Sequence, residues 1–211
     1  MEKIPSYIVL LLICILSRLL SSVYYIEDPE SLKVAEAVYE RAASLNFKSV
    51  LSESSLFIFA AKVFYSIFQS IAITFSSLGG VSMFFIFTYT LNLINVPILS
   101  LEGVLVGSLI FFNPLFWIAS NKYSADLAGV AILLAAFFYL VPETYKKYDN
   151  YKGWLLAGIL VGVKLSYFPF LIIPCLYSLF AKKKALPSLG SFIIGIIFTL
   201  LPVLIYLGWN D

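Results

Sequence analysis

The sequence predicts an all-α membrane protein, a polytopic helix bundle that crosses the lipid bilayer several times. Of its 211 residues, 61% are hydrophobic and 12% are charged, whereas about a quarter of the residues of a soluble domain are charged. The mean hydropathy is +0.96. Apolar runs recur along nearly the whole length, so we expect one transmembrane domain over residues 1–211 and no soluble domain with its own core.

The residue counts exclude several kinds of chemistry. The chain has no histidine, which excludes Ser/His/Asp hydrolysis and the usual zinc sites, so proton transfer must use carboxylates, lysine or tyrosine. The net charge of +2 gives no reason to expect a nucleic-acid partner. Cys14 and Cys175 lie inside apolar runs without metal-ligand spacing, and we expect both to serve packing.

The apolar runs define seven candidate segments. They cover residues 4–23, 56–75, 81–99, 101–118, 127–141, 154–180 and 189–207. The first contains Arg18 and could end a signal peptide near Ser21, but the apolar run continues to Ile26, which favours an uncleaved helix. We therefore expect the first span within residues 1–26, an outer loop with interfacial helices over 27–80, and the remaining spans over 81–207.

Two lysine-rich loops predict the orientation. The segments ETYKKYDNYKG and AKKKALPS separate apolar runs, and the positive-inside rule places both in the cytoplasm. This agrees with a cytoplasmic N-terminus if residues 56–75 lie in the interface and residues 154–180 form two half-depth helices, broken at Ser166 and Pro169. We expect a multi-pass cell-membrane protein with about six to seven spans, half-helices included.

Acidic residues follow the first span, in the stretch VYYIEDPESLKVAEAVYERA. From Pro29 onward, one face of a helix with 3.6 residues per turn is apolar, which predicts an amphipathic helix lying on the membrane. Its members are Leu32, Ala35, Val38, Tyr39, Ala42 and Leu45. Asp28 then occupies the N-cap position, and Glu36 and Glu40 lie on the solvated face.

Glycine and tryptophan residues suggest packing roles. Two G-x-x-x-G patterns, Gly103 with Gly107 and Gly158 with Gly162, predict close helix contacts. The three tryptophans fall near the ends of predicted spans, where interface anchors occur. They are Trp117, Trp154 and Trp209.

The order of these features resembles the amino-terminal membrane module of GT-C glycosyltransferases, the class of protein O-mannosyltransferases and lipid A aminoarabinose transferases. The matching stretches are LSRLLSSVYYIEDPESLKVAEA, NPLFWIASNKYSAD, GWLLAGILVGVKLSYFPFLIIP and FTLLPVLIYLGWND. The resemblance implies a glycosyltransferase that takes a sugar from a polyprenyl-phosphate donor on the non-cytoplasmic face. Asp28, with Glu27, matches the catalytic base, Asp126 the second outer loop, and Lys164 the family lysine. Pro29 after Asp28 departs from the family pattern.

Sugar transfer from a polyprenyl phosphate needs a base for the acceptor hydroxyl and a cationic site for the departing phosphate. Asp28 is the predicted base. Arg18, Lys122 and Lys164 are the candidates for phosphate binding, since ionisable groups at membrane depth are costly, with snorkelling to the interface as the alternative for Arg18 and Lys164.

Three residues of the second outer loop are candidates for acceptor or sugar positioning. Asn121 could bind sugar hydroxyls or form a turn, and Tyr123 follows it closely. Asp126 could position the acceptor, bind a divalent metal or cap the next helix. We predict no other cofactor.

Two other functions remain open. The chain could be a non-catalytic or truncated GT-C-like subunit that needs a partner membrane protein. It could also be a small lipid or solute transporter, with Arg18 and Lys164 lining its path. In every case membrane lipid is an expected partner, and a polyprenyl-phosphate-linked sugar is the expected ligand of the transferase.

Overall fold

Helices make up all the regular structure in the part of the chain that the computed structural model describes. Described are residues 3–21, 29–39, 55–141, 149–182 and 185–207. The α-helices are α1 (Lys3–Leu20), α2 (Pro29–Tyr39), α3 (Ser55–Phe68), α4 (Ile71–Leu93), α5 (Leu101–Phe111), α6 (Pro114–Asn121), α7 (Asp126–Leu140), α8 (Asp149–Val163), α9 (Ile172–Lys182) and α10 (Ala185–Leu207), and a 3-10 helix (Leu165–Leu171) joins α8 to α9. The all-α fold class is confirmed.

Membrane association is supported by one helix. Within the described ranges, α4 is long and apolar enough to cross a bilayer, and α5 with α6 would make a second span if this pair, bent by 60°, is counted as one. The other apolar helices are shorter. The number of six to seven spans and the orientation stay predictions.

Two predicted segment boundaries are wrong. The predicted break between residues 75 and 81 falls inside α4, which continues through Gly79 and Gly80 to Leu93, so the expected boundary at residue 80 divides a helix. The observed break lies earlier, at Gln69 (φ 51°) and Ser70, because the Ser70 side chain accepts a hydrogen bond from the Ile73 N–H and begins α4.

The segment 101–118 is likewise two helices. Asn113 accepts a hydrogen bond from the Leu115 N–H at 2.9 Å, and Pro114 occupies the first turn of α6. An asparagine cap followed by proline is a typical helix start. The sequence NP therefore ends α5 and turns the chain into α6.

Contacts between Cα atoms divide the chain into two units. The first unit is Met1–Glu40 with Ala60–Ala131, and the second is Arg41–Phe59 with Ile132–Asp211. In the first unit α4 is central, since it packs against α1, α2, α5 and α6. In the second unit α8 packs against α10 and against the 3-10 helix.

Helix α2 begins at Pro29 as predicted, but its buried face differs from the predicted one. Leu32 and Tyr39 are 45% and 69% exposed. The buried residues follow the i, i+3, i+4, i+7 pattern of a helix face, one residue out of phase with Leu32. They are Ser31, Val34, Ala35 and Val38. Glu36 is exposed as predicted.

The predicted break within residues 154–180 is confirmed. Ser166 and Pro169 lie in the 3-10 helix between α8 and α9. Asn150, near the start of α8, accepts a hydrogen bond from the hydroxyl of Ser178, near the end of α9. Because the beginning of one helix meets the end of the next, the chain reverses direction between them.

Glycines allow the close helix contacts that the G-x-x-x-G patterns predict. A Cβ at Gly158 would overlap the Phe192 carbonyl oxygen of α10, and one at Gly162 would overlap the Thr199 side chain. A Cβ at Gly107 would overlap the Phe87 ring of α4. An alanine at Gly158 would therefore require a shift of the α10 backbone, whereas at Gly107 and Gly162 the neighbouring Phe87 or Thr199 side chain would have to move.

A buried polar cluster joins α8, α9 and α10, and we call it the α8–α10 network. It consists of Asn150, Trp154, Ser178 and Ser188. The Asn150 amide donates to Ser188 at 3.3 Å, and the Trp154 indole donates to Ser178 at 3.2 Å. Trp154 is buried, so its predicted role as an interface anchor is wrong. Trp209 lies outside the described residues.

Candidate functional site

Arg18 is the most completely buried charged side chain that the structure describes. It lies in the last turn of α1 and is 0% exposed, although Leu20, two residues later, is 89% exposed. The arginine therefore turns into the first unit rather than towards its surface. Snorkelling, the alternative that the sequence left open, is excluded by this burial.

Two aromatic rings and two hydroxyls surround the guanidinium, and these groups with Arg18 form what we call the Arg18 site. The guanidinium carbon lies 3.7 Å from the ring centre of Trp117 and 5.2 Å from that of Phe111. Nη1 donates to the Ser120 hydroxyl at 2.8 Å, and Nε donates to the Ser17 hydroxyl at 3.3 Å. The rings stabilise the cation through cation–π interactions.

Neither hydroxyl neutralises the arginine. The Ser120 hydroxyl donates its own proton to the Trp117 carbonyl at 3.0 Å, and Ser17 donates to the Cys14 carbonyl at 2.9 Å. Both serines are thus held as acceptors for the guanidinium, but both stay neutral. The full positive charge of Arg18 remains, because an arginine side chain is not deprotonated in proteins.

One end of the guanidinium has no partner. Among the described residues, Nη2 of Arg18 is buried and makes no hydrogen bond, and no carboxylate forms an ion pair with it. An uncompensated buried charge costs several kcal/mol. Nη2 can therefore donate a hydrogen bond to an anion.

Asn121, next to Ser120 in the chain, carries a second buried polar atom that lacks a hydrogen-bond partner among the described residues. Its amide nitrogen donates to the carbonyl and to the hydroxyl of Ser21, each at 3.2 Å. Its amide oxygen is buried and has no partner within the described ranges. This oxygen can accept a hydrogen bond from a ligand hydroxyl, which is the role predicted for Asn121 in sugar positioning.

Two consecutive glycines bring α1 and α6 onto α4. A Cβ at Gly79 would overlap the Ser120 carbonyl oxygen, and a Cβ at Gly80 would lie 2.6 Å from the Ile15 Cα. Because successive helix residues point about 100° apart, the two glycines admit two different neighbours. The close approach of α6 holds Ser120 within reach of Arg18.

Tyr123 and Asp126 follow the Arg18 site along the chain. Tyr123 is buried and stacks on Phe75, with ring centres 4.7 Å apart. Asp126 is the first residue of α7, and its carboxylate accepts a hydrogen bond from the Ser124 hydroxyl at 3.0 Å. An acid in the first turn is stabilised by the helix dipole, and the predicted capping role of Asp126 stays a prediction.

The other candidate residues are placed differently. Lys122 directly follows Asn121 at the end of α6, and Lys164 precedes the 3-10 helix of the second unit. Both are half-buried and take part in further interactions. Glu27 and Asp28, the predicted catalytic acids, lie outside the described residues. The structure thus places Arg18, Asn121, Lys122, Tyr123 and Asp126 in one unit.

The described part of the chain contains no cluster of side chains that could bind a metal ion. No three acidic, cysteine or histidine side chains lie close enough to hold an ion there. The prediction that no cofactor is needed stays a prediction.

Sequence reasoning missed the partners of Arg18. Ser120 was not singled out, and Trp117 was expected to be an interface anchor, whereas it lies against the guanidinium and donates its indole N–H to the Phe111 carbonyl. The signal was the local sequence WIAS, since Trp117 and Ser120 are three residues apart and so share one face of a helix.

Comparison with known protein families, with curated proteins and with solved structures finds no match for this chain.

Proposed function

We propose that this chain is a membrane glycosyltransferase that transfers a sugar from a polyprenyl-phosphate donor to an acceptor on the non-cytoplasmic face. The observation that carries the proposal is Arg18, a fully buried cation with a free Nη2 among the described residues. A lipid-linked phosphate is an anion that reaches a site within an apolar helix bundle. Binding it would compensate the buried charge.

Arg18 has the properties that stabilisation of a leaving group requires. As the sugar departs, negative charge grows on the phosphate oxygens, and a fixed cation in a dry site stabilises that charge more than water does. The Trp117 and Phe111 rings and the Ser17 and Ser120 hydroxyls hold the guanidinium in one orientation. Lys122 and Lys164 are further phosphate-binding candidates.

Acceptor activation is assigned to Asp28, with Glu27 beside it. Asp28 directly precedes Pro29, the first residue of α2, and α2 packs against α4 in the unit that contains Arg18. A carboxylate there would accept the proton of the acceptor hydroxyl while the phosphate leaves with the electron pair of the glycosidic bond. Asn121, Tyr123 and Asp126 would position the acceptor or the sugar.

The proposed membrane arrangement is six to seven spans, half-helices included, with the N-terminus in the cytoplasm. Exposed apolar side chains on several helices support it, because such surfaces need lipid or protein to cover them. Examples are Ile8, Leu12 and Leu16 of α1, Val104, Leu105 and Leu109 of α5, and Ile193, Ile194 and Ile197 of α10. The α8 to α9 hairpin is the proposed pair of half-depth helices.

Lipid mass spectrometry tests the function. The pool of polyprenyl-phosphate sugars is measured in cells that lack the gene and in cells that carry wild type, Arg18→Gln, Asp28→Asn or Lys33→Gln. We expect unused donor to accumulate in the deletion, Arg18→Gln and Asp28→Asn cells. Lys33 is exposed, so Lys33→Gln removes the same charge outside the site and should behave as wild type.

Membrane abundance of each variant is measured by immunoblot in parallel. Asparagine caps a helix as well as aspartate does but cannot act as a base, so Asp28→Asn separates the two roles. An unchanged donor pool in the deletion would refute the transferase. Wild-type behaviour of Asp28→Asn at normal abundance would leave Asp28 as a cap only.

A further inference from the structure

The amide oxygen of Asn121 and Nη2 of Arg18 have complementary hydrogen-bonding needs. Both atoms are buried, and within the described ranges neither makes a hydrogen bond. Nη2 can only donate, and the amide oxygen can only accept. A ligand that satisfies both atoms must therefore accept a hydrogen bond at one point and donate one at another. A phosphodiester alone satisfies only Nη2, because it has no proton to donate.

Ser21 determines which end of the Asn121 amide is free. The amide nitrogen lies 3.2 Å from the carbonyl oxygen of Ser21 and 3.2 Å from its hydroxyl oxygen. The Ser21 hydroxyl directs its own proton at the carbonyls of Ser17 and Arg18, so it acts as an acceptor towards Asn121. A rotated amide would set its oxygen against these two acceptors. The free end of the amide is therefore the oxygen.

Observed hydrogen bonds place Asn121 and Arg18 in the same contact between α1 and α6. Ser120 accepts from Nη1 of Arg18 at 2.8 Å, and its chain neighbour Asn121 donates to Ser21. Arg18 and Ser21 are three residues apart on α1, ~4.5 Å along the axis. The Ser21 hydroxyl also lies 3.2 Å from the carbonyl oxygen of Arg18. The two contacts are therefore about one helical turn apart.

The face of α6 that carries Asn121 is the one that forms the Arg18 site. Trp117, whose ring centre is 3.7 Å from the guanidinium carbon, precedes Asn121 by four residues, so the two side chains share one face. Leu115 and Ile118, on the other side of α6, are 75% and 60% exposed. Asn121 is thus part of the same surface of α6 as the ring that stacks on the arginine.

We propose that Asn121 binds a hydroxyl of the donor sugar, so that the Arg18 site recognises a sugar phosphate as one unit. This inference rests on the proposed function and assigns Asn121 to the donor rather than to the acceptor. The phosphate accepts from Nη2 of Arg18, and a sugar hydroxyl donates to the Asn121 amide oxygen. A buried acceptor without a partner costs free energy, so the hydroxyl that satisfies it contributes to affinity.

The test compares lipid phosphodiesters that differ in the ring of the headgroup. Farnesyl glucosyl phosphate carries the anion and sugar hydroxyls, and farnesyl cyclohexyl phosphate carries the same anion and a six-membered ring without hydroxyls. Binding to purified protein in detergent is measured by isothermal titration calorimetry. The mannosyl and galactosyl lipids, each with one hydroxyl inverted, are titrated as well, and the sugar lipid that binds most tightly is used with the variants.

Wild type should bind both kinds of lipid, and the sugar lipid about fivefold more tightly, the scale of one hydrogen bond. Asn121→Ala should lose this preference and bind the cyclohexyl lipid as wild type does. The cyclohexyl lipid thereby reports whether the variant still forms the Arg18 site. Arg18→Gln should abolish binding of both lipids, because it removes the cation that both need.

Thr88→Val is the matched control. Like Asn121→Ala, it removes a buried oxygen that has no partner among the described residues. Helix α4 runs antiparallel to α1, since Gly80 lies against Ile15 and Phe84 faces Tyr7. Thr88, one turn beyond Phe84, therefore lies towards the beginning of α1, whereas the arginine is in its last turn. Thr88→Val should bind both lipids as wild type does.

Each outcome decides one of the two proposals. If wild type binds both lipids equally, or if Asn121→Ala keeps the preference for the sugar lipid, the inference is wrong and the proposed function stands. Equal weakening of both lipids by Asn121→Ala would mean that the asparagine acts through packing, and the inference is again wrong. If wild type binds neither lipid, or if Arg18→Gln binds them as well as wild type does, both proposals are wrong.

Glucose 1-phosphate distinguishes a soluble ligand from a lipid-linked one. It carries a phosphate and sugar hydroxyls without the apolar tail, so it should bind more weakly than the sugar lipid. If it binds more tightly than every sugar lipid, the site takes a soluble sugar phosphate and the lipid-linked donor is refuted.

Discussion

The two units bury polar side chains in opposite ways. In the second unit, the α8–α10 network joins three helices, and both ends of the Asn150 amide have partners. Five buried side-chain polar atoms in the described part of the chain lack a hydrogen-bond partner, and all five lie in the first unit. They belong to Arg18, Thr74, Ser77, Thr88 and Asn121.

This difference separates polar groups that stabilise the fold from polar groups available to a ligand. A satisfied buried network fixes the arrangement of the helices that it joins. Unsatisfied buried groups lower stability, and a cation among them lowers it further, so the unit that contains them is the better candidate for a ligand-binding site.

The largest expected effect on stability is that of Asn150→Leu in the α8–α10 network. Asn150 is 2% exposed, and its loss leaves the Ser178 and Ser188 hydroxyls without their amide partner. We expect the free energy of unfolding to fall by about 3 kcal/mol. Denaturant titration in detergent micelles measures it.

The matched variant is Asn121→Leu in the first unit. The free energy of unfolding should fall by only about 1 kcal/mol. The substitution breaks the hydrogen bonds to Ser21, but it also removes an unpartnered amide oxygen. Equal losses of unfolding free energy for Asn121→Leu and Asn150→Leu would show that the two units do not differ in how their buried polar groups contribute to stability.

An intermediate effect is expected from added methyl groups at helix contacts. Gly79→Ala and Gly158→Ala each force a Cβ onto a backbone carbonyl oxygen, of Ser120 and Phe192 respectively. Each should destabilise the protein by about 2 kcal/mol. Only Gly79→Ala should also weaken the binding of farnesyl phosphate, a short polyprenyl phosphate, measured by isothermal titration calorimetry, because it displaces Ser120 from Arg18.

Gly190→Ala is the control for both glycine variants. A Cβ at Gly190 meets nothing within 4 Å, and alanine is a better helix former than glycine, so stability should rise by about 0.5 kcal/mol. Calorimetry and denaturant titration are done on the same preparations. Loss of farnesyl phosphate binding in Gly158→Ala would show that binding depends on overall packing and not on the Arg18 site.

A small loss of stability, similar to that of Asn121→Leu, is expected from Trp154→Phe. The substitution keeps an aromatic ring in the core but removes the indole N–H that donates to Ser178. Because Ser178 keeps its bond to Asn150, the cost should be about 1 kcal/mol in the same denaturant titration. A loss as large as that of Asn150→Leu would mean that the tryptophan, and not the asparagine, is the centre of the network.

Much of the helix layout follows from local sequence signals. Proline and capping residues predict where α2 begins and where the chain breaks between α8 and α9, because proline lacks the N–H that a continuing helix needs. The same kind of signal at Asn113 and Pro114 separates α5 from α6, although the apolar run hides it. Gly79 and Gly80 fall in the predicted break between residues 75 and 81, but inside α4 they serve as contact points.

The candidate site is harder to predict, because its key contacts join residues distant in sequence. Arg18 and Ser120 are separated by 102 residues, and no local pattern shows that they meet. Thr74 and Ser77 lie in an apolar helix where small hydroxyl residues look like packing. Arg18 was singled out in the sequence because ionisable groups at membrane depth are costly, and Asn121 because its amide could bind sugar hydroxyls.

The central claim is that Nη2 of Arg18 binds a phosphate, and an experimental structure with farnesyl phosphate in a lipid environment tests it most directly. We predict a phosphate oxygen about 2.8 Å from Nη2. A carboxylate of the chain itself bonded to Nη2, with the phosphate bound elsewhere or absent, would contradict the claim and make the buried arginine a structural ion pair.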